Sequence, residues 1–145
     1  MTLHNKVTTK LLLVASIITF SQFSYAGVAV ITNPAVKEIG LSKSKLADIY
    51  LGKFKRFANG TKIQPVDLPA NNDAHKKFYS EVIQKSDSTV NRYWAKLKFS
   101  GKGTPPKVID DPREVIRWVS NNKGAVGYID GKYLNKSVKV VLILP

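Results

Sequence analysis

Apolar positions in this chain recur with two spacings, and each spacing predicts an element. The short unbroken run "VAVITN", Val28 to Asn33, closed by Asn33-Pro34, reads as a buried first strand. In "KSKLADIYL" the spacing turns helical: Leu46, Ile49 and Tyr50 share one face, Ser42 is placed to cap the start, and Gly52 to end it in the left-handed conformation. Asn59-Gly60 marks a tight turn into "KIQPVDL", whose Pro65 predicts an edge strand or a short irregular one. A second helix begins near Asp73 and aligns Ala74, Phe78 and Val82. The third runs through "STVNRYWAKLKF", with Val90, Tyr93, Trp94 and Leu97 as its stripe, and "SGKGTPP" breaks it. Asp111 as N-cap, Pro112 at the first helical position and Glu114 in capping-box spacing open a fourth, which carries Val115, Ile116, Trp118 and Val119. "AVGYI" and "VKVVLIL" are two further strands joined by a turn at Asp130-Gly131. Strands separated by helices predict an α/β domain with a mixed sheet, and both tryptophans are expected inside it.

The amino-terminal pattern is of another kind. Lys6 and Lys10 precede the ten-residue apolar run "LLLVASIITF", and "SYA" places small residues before Gly27. This reads as a secretory signal peptide over residues 1–26, cleaved after Ala26, because the run is well short of the roughly 20 residues that span a bilayer. Residues 27–145 then form one domain, expected in the periplasm with no stable membrane insertion. The absence of cysteine excludes disulfides and a thiol nucleophile. A formal net charge of +13, to which the leader adds only its two lysines, should attract anions without choosing among them. The lysines are scattered, so a solvated surface explains them as well as a polyanion site does. Nucleic acid is not an expected partner: Phe54 and Phe57 in "KFKRF" are more often core contacts than stacking platforms.

Catalysis has little to build on. His75 is the one histidine beyond the leader; between Ala74 and two lysines, it is expected at the surface. Asp110 and Asp111 form a carboxylate pair, but capping already accounts for Asp111. No base stands near Ser100 or Thr104 in sequence. The chain is therefore read as a binding protein, not an enzyme, with no cofactor and no metal. Two loops suit an anion. In the turn Asn71, Asn72, Asp73 a helix start offers free N–H groups. In "SGKGTPP", Ser100 and Thr104 offer hydroxyls, Gly101 and Gly103 close backbone approach, and Lys102 charge. The glycines and prolines of that second loop equally describe a connector that ends a helix.

The combination "LSKSKLADIYLGKFKRFANGTKIQPVDLP", then "FY", "YWAKLKFSGKGTPP" and "GAVGYID" resembles the small phosphate-transporter substrate-binding-like proteins of Gram-negative bacteria, across almost all of residues 27–145. These are related to phosphate-binding proteins of type 2 periplasmic architecture. The resemblance implies a single α/β lobe with a ligand cleft, a phosphate-like small anion as ligand, and an inner-membrane permease or sensor as partner. It places Asn72, Asp73 and Ala74 where larger relatives carry a Ser-Gly-Thr anion-binding turn, and Leu68 about where they carry an arginine. Asp73 thus brings a negative charge and Ala74 removes a hydroxyl. A single lobe leaves its ligand half in water unless a second copy, as in a homodimer, or another protein covers it. The alternative from another class is an interaction or sensory adaptor protein that keeps the fold and has lost the anion pocket.

Overall fold

β1 (Val28–Thr32) is buried along its whole length because strands flank it on both sides. It pairs antiparallel with β4 (Ala125–Asp130) and with β5 (Lys139–Leu144), setting Val28 opposite both Asp130 and Leu144. β2 (Gln64–Asp67) runs parallel to β4 and to the two-residue β3 (Lys107–Val108), completing a mixed sheet of order β3-β2-β4-β1-β5. The computed structural model describes residues 25–145; the leader expected at residues 1–26 lies outside them, its last two positions excepted.

Two strand expectations change in detail. "AVGYI" and "VKVVLIL" do turn at Asp130, which caps a 3-10 turn at Gly131–Tyr133, but they do not neighbour each other, because β1 lies between them. Pro65 sits inside the strand order, yet it faces only Val126 of β4, since β3 begins alongside Val66. Its missing N–H therefore falls where the strand has one neighbour, which is where a proline is tolerated.

The helices follow their local capping chemistry. α1 (Lys43–Tyr50) starts where the Ser42 hydroxyl accepts from Lys45 N–H, and Gly52 closes it at φ +68°. α2 (Asp73–Phe78) runs on into a π-type turn, Tyr79–Ile83, which stops at Gln84 in the left-handed region. α3 (Asp87–Phe99) is capped by Ser86. α4 (Pro112–Asn121) is capped by Asp111, but Glu114 does not complete the expected box: it pairs with Arg117 at 2.6 Å. The far end of α4 is held by Asn33, whose amide donates to the carbonyls of Val119 and Ser120 at 2.9 Å each. α4 lies close on the sheet at Gly127, where a Cβ would fall 2.9 Å from Val66 and 3.1 Å from Val115.

Packing behind β2 is aromatic. Phe78 stacks on Tyr128 with ring centroids 4.0 Å apart, and Tyr50 tilts against Phe78 at 4.8 Å. Trp94 is buried, as the sequence predicts. Trp118 is only half-buried, since one flank of its ring lines an open groove rather than the core.

Candidate functional site

β2 ends at Asp67, and the carboxyl end of a parallel strand is where α/β sheets most often place ligand chemistry. Here the strand end holds a buried carboxylate. Asp67 Oδ1 accepts from the Tyr128 hydroxyl and from Leu68 N–H at 2.9 Å, and Oδ2 accepts from the Tyr79 hydroxyl at 2.7 Å. His75, in the first turn of α2, has Nδ1 2.8 Å from the Leu68 carbonyl and 3.3 Å from Asp67, while Nε2 lies 2.6 Å from Asp87 at the start of α3. The Tyr79 ring stacks on the imidazole at 3.9 Å. Four elements, β2, β4, α2 and α3, thus meet through one set of hydrogen bonds.

This corrects the expectation for His75, which is 3% exposed rather than at the surface. Its burial needs partners at Asp67, Asp87 and Tyr128, far apart in sequence. The one local hint is a carboxylate inside the apolar run "PVDLP". Burial by itself pulls the imidazole pKa down, but the hydrogen bonds to Asp67 and Asp87 outweigh it and raise the value to about 9. Both ring nitrogens are then donors, occupied by a carbonyl and two carboxylates, so the ring holds a charge in place rather than taking up a proton from a substrate. Burial, then the charge of Asp67, pushes the Tyr79 and Tyr128 hydroxyls upward.

A pH dependence follows. Because His75 has a higher pKa folded than its ordinary 6.5, its stabilising contribution is complete below that value and is lost as pH rises through about 9. The raised tyrosines act in the same direction beyond that range, since the unfolded chain releases their protons first. Urea midpoints measured from about pH 6 to about pH 10 should fall steadily, and His75→Gln should flatten the slope between those limits. A wild-type curve that is flat over that span would refute the charged-histidine assignment.

The turn proposed to hold an anion lies just beyond this network. Asn72 is the N-cap of α2, its side-chain oxygen accepting from Ala74 N–H at 2.8 Å. The Asp73 and His75 N–H groups have no hydrogen-bond partner among the described residues. Asn71 is exposed, and the Asp73 carboxylate stands fully in solvent, 3.3 Å from Lys76. The second loop is placed elsewhere. The Ser100 hydroxyl donates to the carbonyls of Lys96 and Leu97, Gly101 takes φ +70°, and Lys102 N–H returns to Leu97 at 2.8 Å, so this segment closes the end of α3. Thr104 lines a groove of about 390 Å³ that includes none of Asn71, Asn72 or Asp73. The two loops are therefore not brought into one site.

Comparison with known proteins gives likeness in structure alone. No family model and no curated protein matches the sequence. An ABC-type phosphate transport receptor from Vibrio cholerae superposes with a TM-score of 0.62 at 22% identity, covering 79% of this chain and 45% of its own. A putative phosphate ABC transporter substrate-binding protein with bound phosphate, from Clostridium perfringens, gives 0.65 at 21% identity over 81% of this chain and 45% of its own. PstS from Borrelia burgdorferi gives 0.60 at 17% identity, with 81% and 47% covered. The chain spans less than half the length of each of these proteins. Among the described residues no helix is long and apolar enough to cross a membrane. The five-stranded mixed sheet with its flanking helices is thus similar in fold to one part of the phosphate receptors of the periplasmic binding-protein type.

Proposed function

We propose that this chain is an exported, periplasmic solute-binding lobe whose ligand is a small oxyanion, phosphate before others, which it handles without chemical turnover. The observation that carries this reading is the fold likeness to phosphate receptors, one of them with phosphate bound. The positive net charge is consistent with it. A ligand at that turn is open to water on one side, so a second copy of the chain, a permease or a sensor would complete its enclosure.

A second reading is favoured by Asn72 and Asp73 themselves. The Asn72 amide oxygen already satisfies one helix N–H, and the Asp73 carboxylate repels an anion from the others. Such a turn suits a lobe that keeps the fold and serves as an interaction or sensory adaptor. Calorimetric titration with inorganic phosphate separates the two. Asp73→Ser removes the opposing charge and leaves the Asn72 cap in place, so it should bind phosphate roughly two- to fivefold more tightly than wild type with little change in stability. If neither protein takes up phosphate or sulfate at concentrations of a few millimolar or more, the adaptor reading replaces the first.

A further inference from the structure

The groove lined by Thr104 lies at the amino end of β2, where it is bordered by Gln64 and Pro65, and so stands apart from the strand end that carries Asp67. Its apolar surface comes from Trp94, Trp118, Phe54, Pro105 and Pro106. Its charges are all of one sign. Lys55, Lys62, Lys102 and Lys107 line it with no carboxylate among them, and none of the four is in an ion pair among the described residues. Two glycines of its lining let the Trp94 ring pack against the main chain: a Cβ on Gly52 would fall 2.8 Å from the ring and one on Gly103 3.4 Å. Both Gln64 and Thr104 present side-chain polar groups that make no hydrogen bond among the described residues.

From this we infer that the groove is a second ligand site, for a small anion carrying a planar ring. About 390 Å³ is the size of a small-molecule pocket rather than of a track for a polymer. The half-buried Trp118 ring offers a stacking face, already approached by Lys107 Nζ at 5.9 Å from its centroid. A ring lying there brings its acidic group among the lysines, whereas an inorganic anion would leave the tryptophan and proline surface wet. An aryl carboxylate and a nucleoside monophosphate share this chemistry. The sequence "SGKGTPP" contributes to the site through its second half, Lys102 to Pro106, rather than through Ser100 and Gly101.

The two tryptophans are the only ones in the chain and both line the groove, so their emission reports on it directly. The purified protein is titrated separately with benzoate, adenosine monophosphate and inorganic phosphate, following tryptophan emission and, in parallel, heat. The expected result is a saturable change in emission with one or both ring anions, weakened by salt, and no change in emission with inorganic phosphate, whose heat reports on the Asn71–Asp73 turn instead. Which ring anion saturates at lower concentration distinguishes the two sources. Trp118→Leu should weaken calorimetric binding by about tenfold or more, the loss of one stacking contact. Lys102→Gln with Lys107→Gln, both exposed, should weaken it comparably without affecting folding. Arg113→Gln with Arg117→Gln removes the same charge from another surface and should leave it unchanged. The inference is overturned by an absence of saturation with either ring anion, by an equal emission response to inorganic phosphate, or by equal losses in the two double variants.

Discussion

Replacing Asp67 with Ala should lower the unfolding free energy by about 3–5 kcal/mol at neutral pH, the loss expected when one partner of a buried charged pair is removed. The change leaves the hydroxyls of Tyr79 and Tyr128 without their acceptor, leaves the Leu68 N–H only its 3.4 Å contact with the Tyr128 oxygen, and leaves the His75 charge with Asp87 alone. Each abandoned donor is costly where it is buried, as beside Asp67 and Tyr128. Asp87→Ala is the informative control. Its carboxylate is 46% exposed, so water can replace it and the loss should be clearly smaller. Urea denaturation of both variants decides the matter. A loss below about 1 kcal/mol for Asp67→Ala would mean that the polar network contributes little and that aromatic packing alone holds β2 to α2.

Trp94→Ala is the second large effect, again about 3–5 kcal/mol, because it opens a cavity that neighbouring backbone cannot fill. The ring is 8% exposed, and the Gly52 and Gly103 main chains lie against it. The neighbouring Tyr93 hydroxyl donates to the Leu51 carbonyl at 2.7 Å, so α3 is fixed to the end of α1 and the surroundings cannot collapse inward. Trp118→Ala should cost distinctly less, since part of that ring already faces solvent and less surface returns to water. Thermal melts of the two variants side by side test the contrast; equal losses would place Trp118 in the core after all.

What the sequence made legible was local. Ser42, Asp111 and Gly52 act within one helical turn of themselves, and both ends of α1 and the start of α4 fall where those residues predict. The capping box at Glu114 was equally local and still failed, because Arg117, one turn along, competes for the same carboxylate. Asn33 reads as a turn residue beside a proline, and nothing nearby foretells that its amide caps a helix 86 positions away. His75 shows the same limit more strongly: its neighbours in sequence are lysines, whereas its neighbours in space are Asp67, Asp87, Tyr79 and Tyr128. The two candidate loops carried correct local chemistry, a helix start and a helix end, but their separation depends on which end of β2 each one borders, and periodicity does not encode that.

The position of β1 also has a kinetic consequence. Both of its neighbours come from the last part of the chain, and Lys139 of β5 reaches the Val36 carbonyl across 103 positions. Pairings so distant must close long loops before they return any stabilisation, which slows folding relative to a chain built from adjacent hairpins. On a ribosome, helices α1 to α4 emerge while β1 still has nothing to pair with. The sheet can close only once β4 and β5 have both emerged, so a nascent chain arrested before residue 125 lacks both partners of its central strand.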